Sequence, residues 1–199
     1  MGTGAGFLRF GTVAVALGLV TASALAAPAA VKAPLVCSRG PSGTSFEAVV
    51  TEPFSQAAGT SYTVRIDSKA SGTIQHGGLN YIYNMATEYL VPAGTTYVEG
   101  TAHIVPDTGT PNVRVGARVW HDAGTIHFVL PAHVDNGGSY TPPSIEFDLK
   151  ISPSATGVLS LKFQHYSVTA NAIIVGDLVT TCEPNPKPYT IGVTMVDAP

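Results

Sequence analysis

Apolar residues recur at every second position through most of this chain, and that period of two limits its fold more than any other feature. A strand sends successive side chains to opposite faces, whereas a helix would need apolar spacings of three and four. Tyr62, Val64 and Ile66 alternate with Thr63, Arg65 and Asp67, and Ile145, Phe147, Leu149 and Ile151 alternate with Glu146, Asp148 and Lys150. Leu159, Leu161 and Phe163 are set against Ser160, Lys162 and Gln164, and Tyr189, Ile191, Val193 and Met195 close the series. The 21 Gly and 15 Pro, with Asn and Asp, cluster between these runs and punctuate them as turns.

The pattern predicts strands at 33–37, 44–51, 61–67, 79–91, 96–105, 112–121, 125–130, 144–151, 158–168 and 172–182, with a terminal strand at 188–196. That is about ten strands, each with one wet face, at the spacing of an antiparallel sandwich. Residues 79–86 fit both periods, because Leu79, Ile82, Tyr83 and Ala86 repeat helically while Tyr81, Tyr83 and Met85 alternate; strand character is expected from Tyr89 onward. No repeat, low-complexity tract or linker interrupts residues 27–199, so they are expected to form a single domain.

The N-terminal segment has the marks of export. Arg9 precedes an uncharged stretch from Phe10 to Val20, and small residues lead to Ala24-Leu25-Ala26, so residues 1–26 read as a signal peptide. The apolar run is shorter than the roughly 20 residues a membrane-spanning helix needs. In an exported chain the only two cysteines, Cys37 and Cys182, are expected to form one disulfide. Closing so long a loop is worth up to roughly 5 kcal/mol in the chain-entropy picture. A formal charge of −3 leaves no basic surplus to neutralise phosphates, which disfavours a nucleic-acid partner.

A hairpin around Asp122-Ala123-Gly124-Thr125 allows its register to be argued. A loop of two or four residues puts Val115, Ala117 and Val119 on the same face as Ile126, Phe128 and Leu130, and burial favours that parity. Trp120, His127, Arg114 and Arg118 then share the opposite face. The only Trp of the chain, next to a His and two Arg, has the makings of a surface binding patch, and an indole face can also stack on a sugar.

Recognisable catalytic chemistry is sparse. His76, His103, His121, His127, His133 and His165 are scattered, and His121 and His127 fall on opposite faces of the hairpin, so no metal site is expected. There is no Gly-x-Ser-x-Gly elbow. Gly40-Pro41-Ser42-Gly43-Thr44-Ser45 lacks the Lys of a phosphate loop and reads as a turn. Glu146 and Asp148 share one strand face, the wet side of a sheet. No cofactor is expected.

The run Tyr89-Leu90-Val91-Pro92-Ala93-Gly94-Thr95-Thr96-Tyr97-Val98-Glu99-Gly100 resembles a signature of bacterial surface immunoglobulin-like repeats in adhesin-type exported proteins. Ser144 to Ile151 with the turn Ser152 to Gly157 is similar to their later strands, so the likeness spans residues 80–170. The resemblance implies an all-β, antiparallel immunoglobulin-like β-sandwich that is structural or binding in role, with no catalytic residues to transfer. The expectation is a secreted or cell-envelope-associated, non-enzymatic module whose partner is a surface protein or a glycan. A secreted hydrolase with an unrecognised site and an envelope pore subunit are the alternatives.

Overall fold

The period of two becomes strand through most of the chain. In a computed structural model of the chain, residues 27–40 and 43–197 are described. The expected signal peptide at 1–26 lies outside them. In chain order the strands are β1 Ala27–Cys37, β2 Ser45–Glu52, β3 Ser55–Ala57, β4 Ser61–Ser68, β5 Leu79–Leu90, β6 Thr95–Tyr97 and β7 His103–Ile104. After the short helix α1, Pro111–Arg114, come β8 Arg118–Asp122, β9 Thr125–Leu130, β10 Val134–Asp135, β11 Ile145–Ile151, β12 Gly157–Ala172, β13 Gly176–Pro184 and β14 Tyr189–Asp197.

These strands form two layers that share β1. Its residues Ala27–Pro34 pair with β2 in a sheet that continues through β4 and β11 to β6 and β7. Leu35–Cys37 pair instead with β13, which opens a second sheet running through β12, β5 and β9 to β8. Pairing is antiparallel except between β14 and β3. Cys37 lies directly opposite Cys182 in the β1–β13 register, and the two form the expected disulfide.

The core lies where the two layers face each other. Phe46, Ala48 and Val50 of β2, Tyr62, Val64 and Ile66 of β4 and Ile145, Phe147, Leu149 and Ile151 of β11 come from one layer. Met85 and Tyr89 of β5, Ile126, Phe128 and Leu130 of β9 and Leu159, Leu161 and Phe163 of β12 come from the other. Phe46 and Phe163 stack across the layers with centroids 4.4 Å apart, and Tyr89 packs against both rings. Each buried ring contributes roughly 3 kcal/mol of transfer free energy at most.

One open alternative is decided and three sequence expectations are corrected. Residues 79–86 are strand, with a break at Asn84, whose φ of 47° marks a bulge. The stretch 96–105 is two short strands, β6 and β7, separated by a turn at Gly100. Residues 111–114 are helical rather than extended, because Pro111 fits the first helical position and Val113 plugs the core at 2% exposure. Val115 therefore stands exposed instead of sharing a face with Val119. In β14, Ile191 is an extra residue opposite the Leu161–Lys162 step, so parity changes there. Ile191 and Gly192 are both buried, Thr194 and Val196 then point inward, and Val193 and Met195 point out.

Candidate binding surface

The β8–β9 hairpin turns through Ala123 and Gly124, both at positive φ (45° and 81°), the geometry of a two-residue type I′ loop. Val119 faces Phe128, Trp120 faces His127, and His121 faces Ile126. Because Ile126, Phe128 and Leu130 are buried, Arg118, Trp120 and His127 lie on the outer face. The indole stacks on the His127 ring, with centroids 5.2 Å apart and an interplanar angle of 15°, and Trp120 remains 42% exposed.

Neighbouring strands extend this into a row. Glu88 of β5 lies opposite His127, with Oε1 3.4 Å from the ring's Nδ1, and His165 of β12 lies opposite Glu88. Further along, Lys187 hydrogen-bonds Glu183 and, with help from the charge of His165, holds that carboxyl below its ordinary value. The outer face thus presents an aromatic end and an alternating polar run across four strands.

On its other side Trp120 borders a groove of about 500 Å³, lined by Ala102, His103 and Ile104 on one wall and Ala117 to Trp120 on the other. β8 ends the strand order, so one edge of its backbone has no strand partner among the described residues. His103 is held by a 2.8 Å contact between Nδ1 and the Thr101 carbonyl, and its Nε2 stands 3.5 Å from Glu146. The groove is therefore apolar at its base, cationic at Arg118 and bounded by an unpaired strand edge.

Of the four residues expected to share a patch, Trp120, His127 and Arg118 lie together. Arg114 is carried away on α1, where it pairs with Asp107 at 3.3 Å. The far wall at Ala102–Ile104 and the partners Glu88 and His165 come from strands distant in sequence, and no local pattern announces them. His121 occupies the inner side, stacked on Tyr97 at 4.5 Å and accepting a hydrogen bond from the Gly124 amide at Nε2. His133 rests on Tyr81 at the opposite end of β5, so these two histidines do not converge. No group of three or more metal-capable side chains forms among the described residues. Glu146 is engaged by Arg65 at 3.2 Å and Asp148 by Thr63 at 2.7 Å. No helix among the described residues is long and apolar enough to cross a membrane.

No protein-family profile matches this sequence, and no curated protein sequence matches it either. Among solved structures the chain is similar to a membrane anchored protein of Corynebacterium diphtheriae, with a TM-score of 0.45 at 16% identity over 86% of this chain and 37% of that one. It is also similar to the sixth cohesin of Acetivibrio cellulolyticus scaffoldin B, with a TM-score of 0.38 at 13% identity over 72% of this chain and 93% of that domain. The collagen-binding domain of a Staphylococcus aureus adhesin gives a TM-score of 0.36 at 12% identity over 67% and 87% of the two chains. These are bacterial β-sandwich domains of low similarity, and the functional reading rests on this chain's own side chains.

Proposed function

We propose that the protein is an exported, non-enzymatic binding module that holds an extended segment of a partner surface protein along the β8 edge, with Trp120 as its anchor. The observation that carries the reading is the juxtaposition of an unpaired strand edge, a groove of about 500 Å³ and a 42% exposed indole. An added strand gains main-chain hydrogen bonds along the edge, while the groove selects alternate side chains. Trp is the residue type that most often dominates binding energy, and Arg118 beside it can meet a carboxylate or backbone carbonyl. Export is supported by the leader-like residues 1–26 and by the disulfide, which suits an oxidising compartment. The apolar core shared by the two layers and the two free ends of the strand order favour a binding module over a pore.

A glycan ligand is the second reading, and it rests on the Trp120–His127 stack beside polar side chains, an arrangement that can receive a sugar face. Peptide and glycan arrays probed with wild type, Trp120→Ala and Arg118→Ala separate the two. The expected result is retention of extended peptides, weakened at least roughly 30-fold by Trp120→Ala. Binding of glycans alone would transfer the site to the second reading. Equal binding by wild type and Trp120→Ala, or turnover of any substrate, would remove the proposal.

A further inference from the structure

The last rung of the β1–β2 ladder brings together two features that the Trp120 surface does not use. β2 stops at Glu52, because Pro53 follows and has no amide proton to donate. Directly opposite Glu52 in the register stands Ala27. Ala27 is also the first residue after the expected signal peptide, residues 1–26. The end of the ladder and the end of the leader therefore coincide.

The pairing fixes the direction of the Ala27 nitrogen. Leu35 donates to the Thr44 carbonyl at 2.9 Å, and this pair continues the same register. Antiparallel pairs alternate between those that exchange ladder bonds and those that do not, so the odd-numbered residues of β1 make the bonds to β2. Pro28 and Pro34, which have no proton to give, fall between them. Ala27 is thus a bonding position whose nitrogen is directed at β2. Opposite residues of such a pair have Cα atoms about 5.5 Å apart, a separation that a glutamate side chain spans.

Glu52 lies on the inward face of β2, in line with Phe46, Ala48 and Val50, and is buried. Around its carboxyl are Gly192, the Val193 amide and Thr194 of β14 and the Tyr62 phenol of β4. Tyr62 is the only titratable group of these four, and burial raises it, so it stays neutral. No Lys, Arg or His pairs with Glu52 among the described residues. A buried carboxylate without a counter-charge is costly. In the full 199-residue chain, where the Ala27 nitrogen is an uncharged amide, burial therefore keeps the carboxyl protonated below about pH 7.

We infer that removal of residues 1–26 supplies the counter-charge: the new α-ammonium of Ala27 pairs with the Glu52 carboxylate and fastens the start of β1 to the end of β2. The inference rests on the export reading given above. Hydrolysis of the Ala26–Ala27 peptide bond by a signal peptidase consumes one water and leaves a carboxylate on Ala26 and the ammonium on Ala27. One N–H of the ammonium keeps the ladder bond to the Glu52 carbonyl, and another turns to the carboxylate. The processed protein gains an interaction that its precursor lacks, which couples cleavage to completion of the fold.

The test exports the full chain from a bacterial host and reads the start of the secreted product by intact mass. A product beginning at Ala27 is expected; another start, or retention of residues 1–26, would remove the export reading and the inference with it. On the product beginning at Ala27, acetic anhydride labelling is followed against pH, with peptide masses separating the α-amine from the lysines. In urea the α-amine is expected to titrate at its ordinary value of about 8. In the folded protein it is expected to titrate about one pH unit higher and to react roughly tenfold more slowly near pH 7. Glu52→Gln is expected to return the folded protein to the urea value. One glycine inserted between Ala26 and Ala27 carries the charge off the ladder, is expected to do the same, and serves alone if Glu52→Gln fails to fold. An α-amine that titrates alike in folded and unfolded protein, or a raised value that survives either change, would overturn the inference while leaving the export reading intact.

Discussion

Glu52 is the residue whose environment departs most from its chemistry. It sits at the end of β2, 7% exposed, with Oε1 unpaired, and Gly192 of β14 has no side chain where the carboxyl lies. Burial, partly offset by Thr194 and the Val193 amide, pushes its carboxyl up to about 7 from an ordinary 4.5. The same burial, with the neighbouring Glu52 charge, raises the Tyr62 phenol. Between pH 4.5 and 7 the unfolded chain releases the Glu52 proton while the folded chain keeps it, so stability falls as pH rises through that window. The loss amounts to roughly 3 kcal/mol and levels off above it. Glu52→Gln removes the ionisation, so urea unfolding at pH 5 and pH 8 is expected to show a smaller stability loss at pH 8 in the variant than in wild type. Equal losses in both proteins would place the proton elsewhere. Gly192→Ala would drive a methyl group into the Glu52 carboxyl and is expected to destabilise the fold at either pH.

At the scale of elements, the β8–β9 hairpin stores a small strain. Ala123 adopts a φ of 45° that a side chain with Cβ resists, so Ala123→Asn is expected to raise stability by about 0.5–1 kcal/mol in urea unfolding without moving the Trp120 register. The β12–β13 turn behaves differently. Ile173, Ile174 and Val175 are 65%, 93% and 63% exposed, so Ile174→Ser is expected to change unfolding stability by less than about 0.5 kcal/mol. The elements legible in the sequence were those whose alternation was uninterrupted: β4, β11 and the first half of β12 each carried one apolar residue per two and one buried face. The Trp120–His127 pairing was legible for the same reason, since only one loop parity buries Ile126, Phe128 and Leu130 together. The rest was hidden where a single residue breaks the count. Nothing in Tyr189-Thr190-Ile191-Gly192 signals the bulge that turns Val193 and Met195 outward. In Pro111-Asn112-Val113-Arg114 the proline's fixed backbone outweighs a stretch that otherwise reads as strand. Arg114 left the expected patch for that reason.

The whole molecule depends on β1, which begins in one layer and ends in the other, and on the disulfide that fixes its end to β13. A cross-link between residues separated by 145 positions restricts the unfolded chain strongly. Replacing both cysteines by serine is expected to lower unfolding stability by roughly 2–5 kcal/mol while leaving the sheet content unchanged by circular dichroism. A fold unaffected in stability would mean that the sandwich holds β1 unaided. The surface site is tested most directly by hydrogen exchange on the protein bound to a peptide selected from the array. Slowed exchange confined to the amides of β8 and to residues 102–104 is the expected outcome, because a strand added at the edge protects the backbone it pairs with. Unchanged exchange in β8 with protection elsewhere, at the β12–β13 turn for instance, would contradict the assignment of that edge.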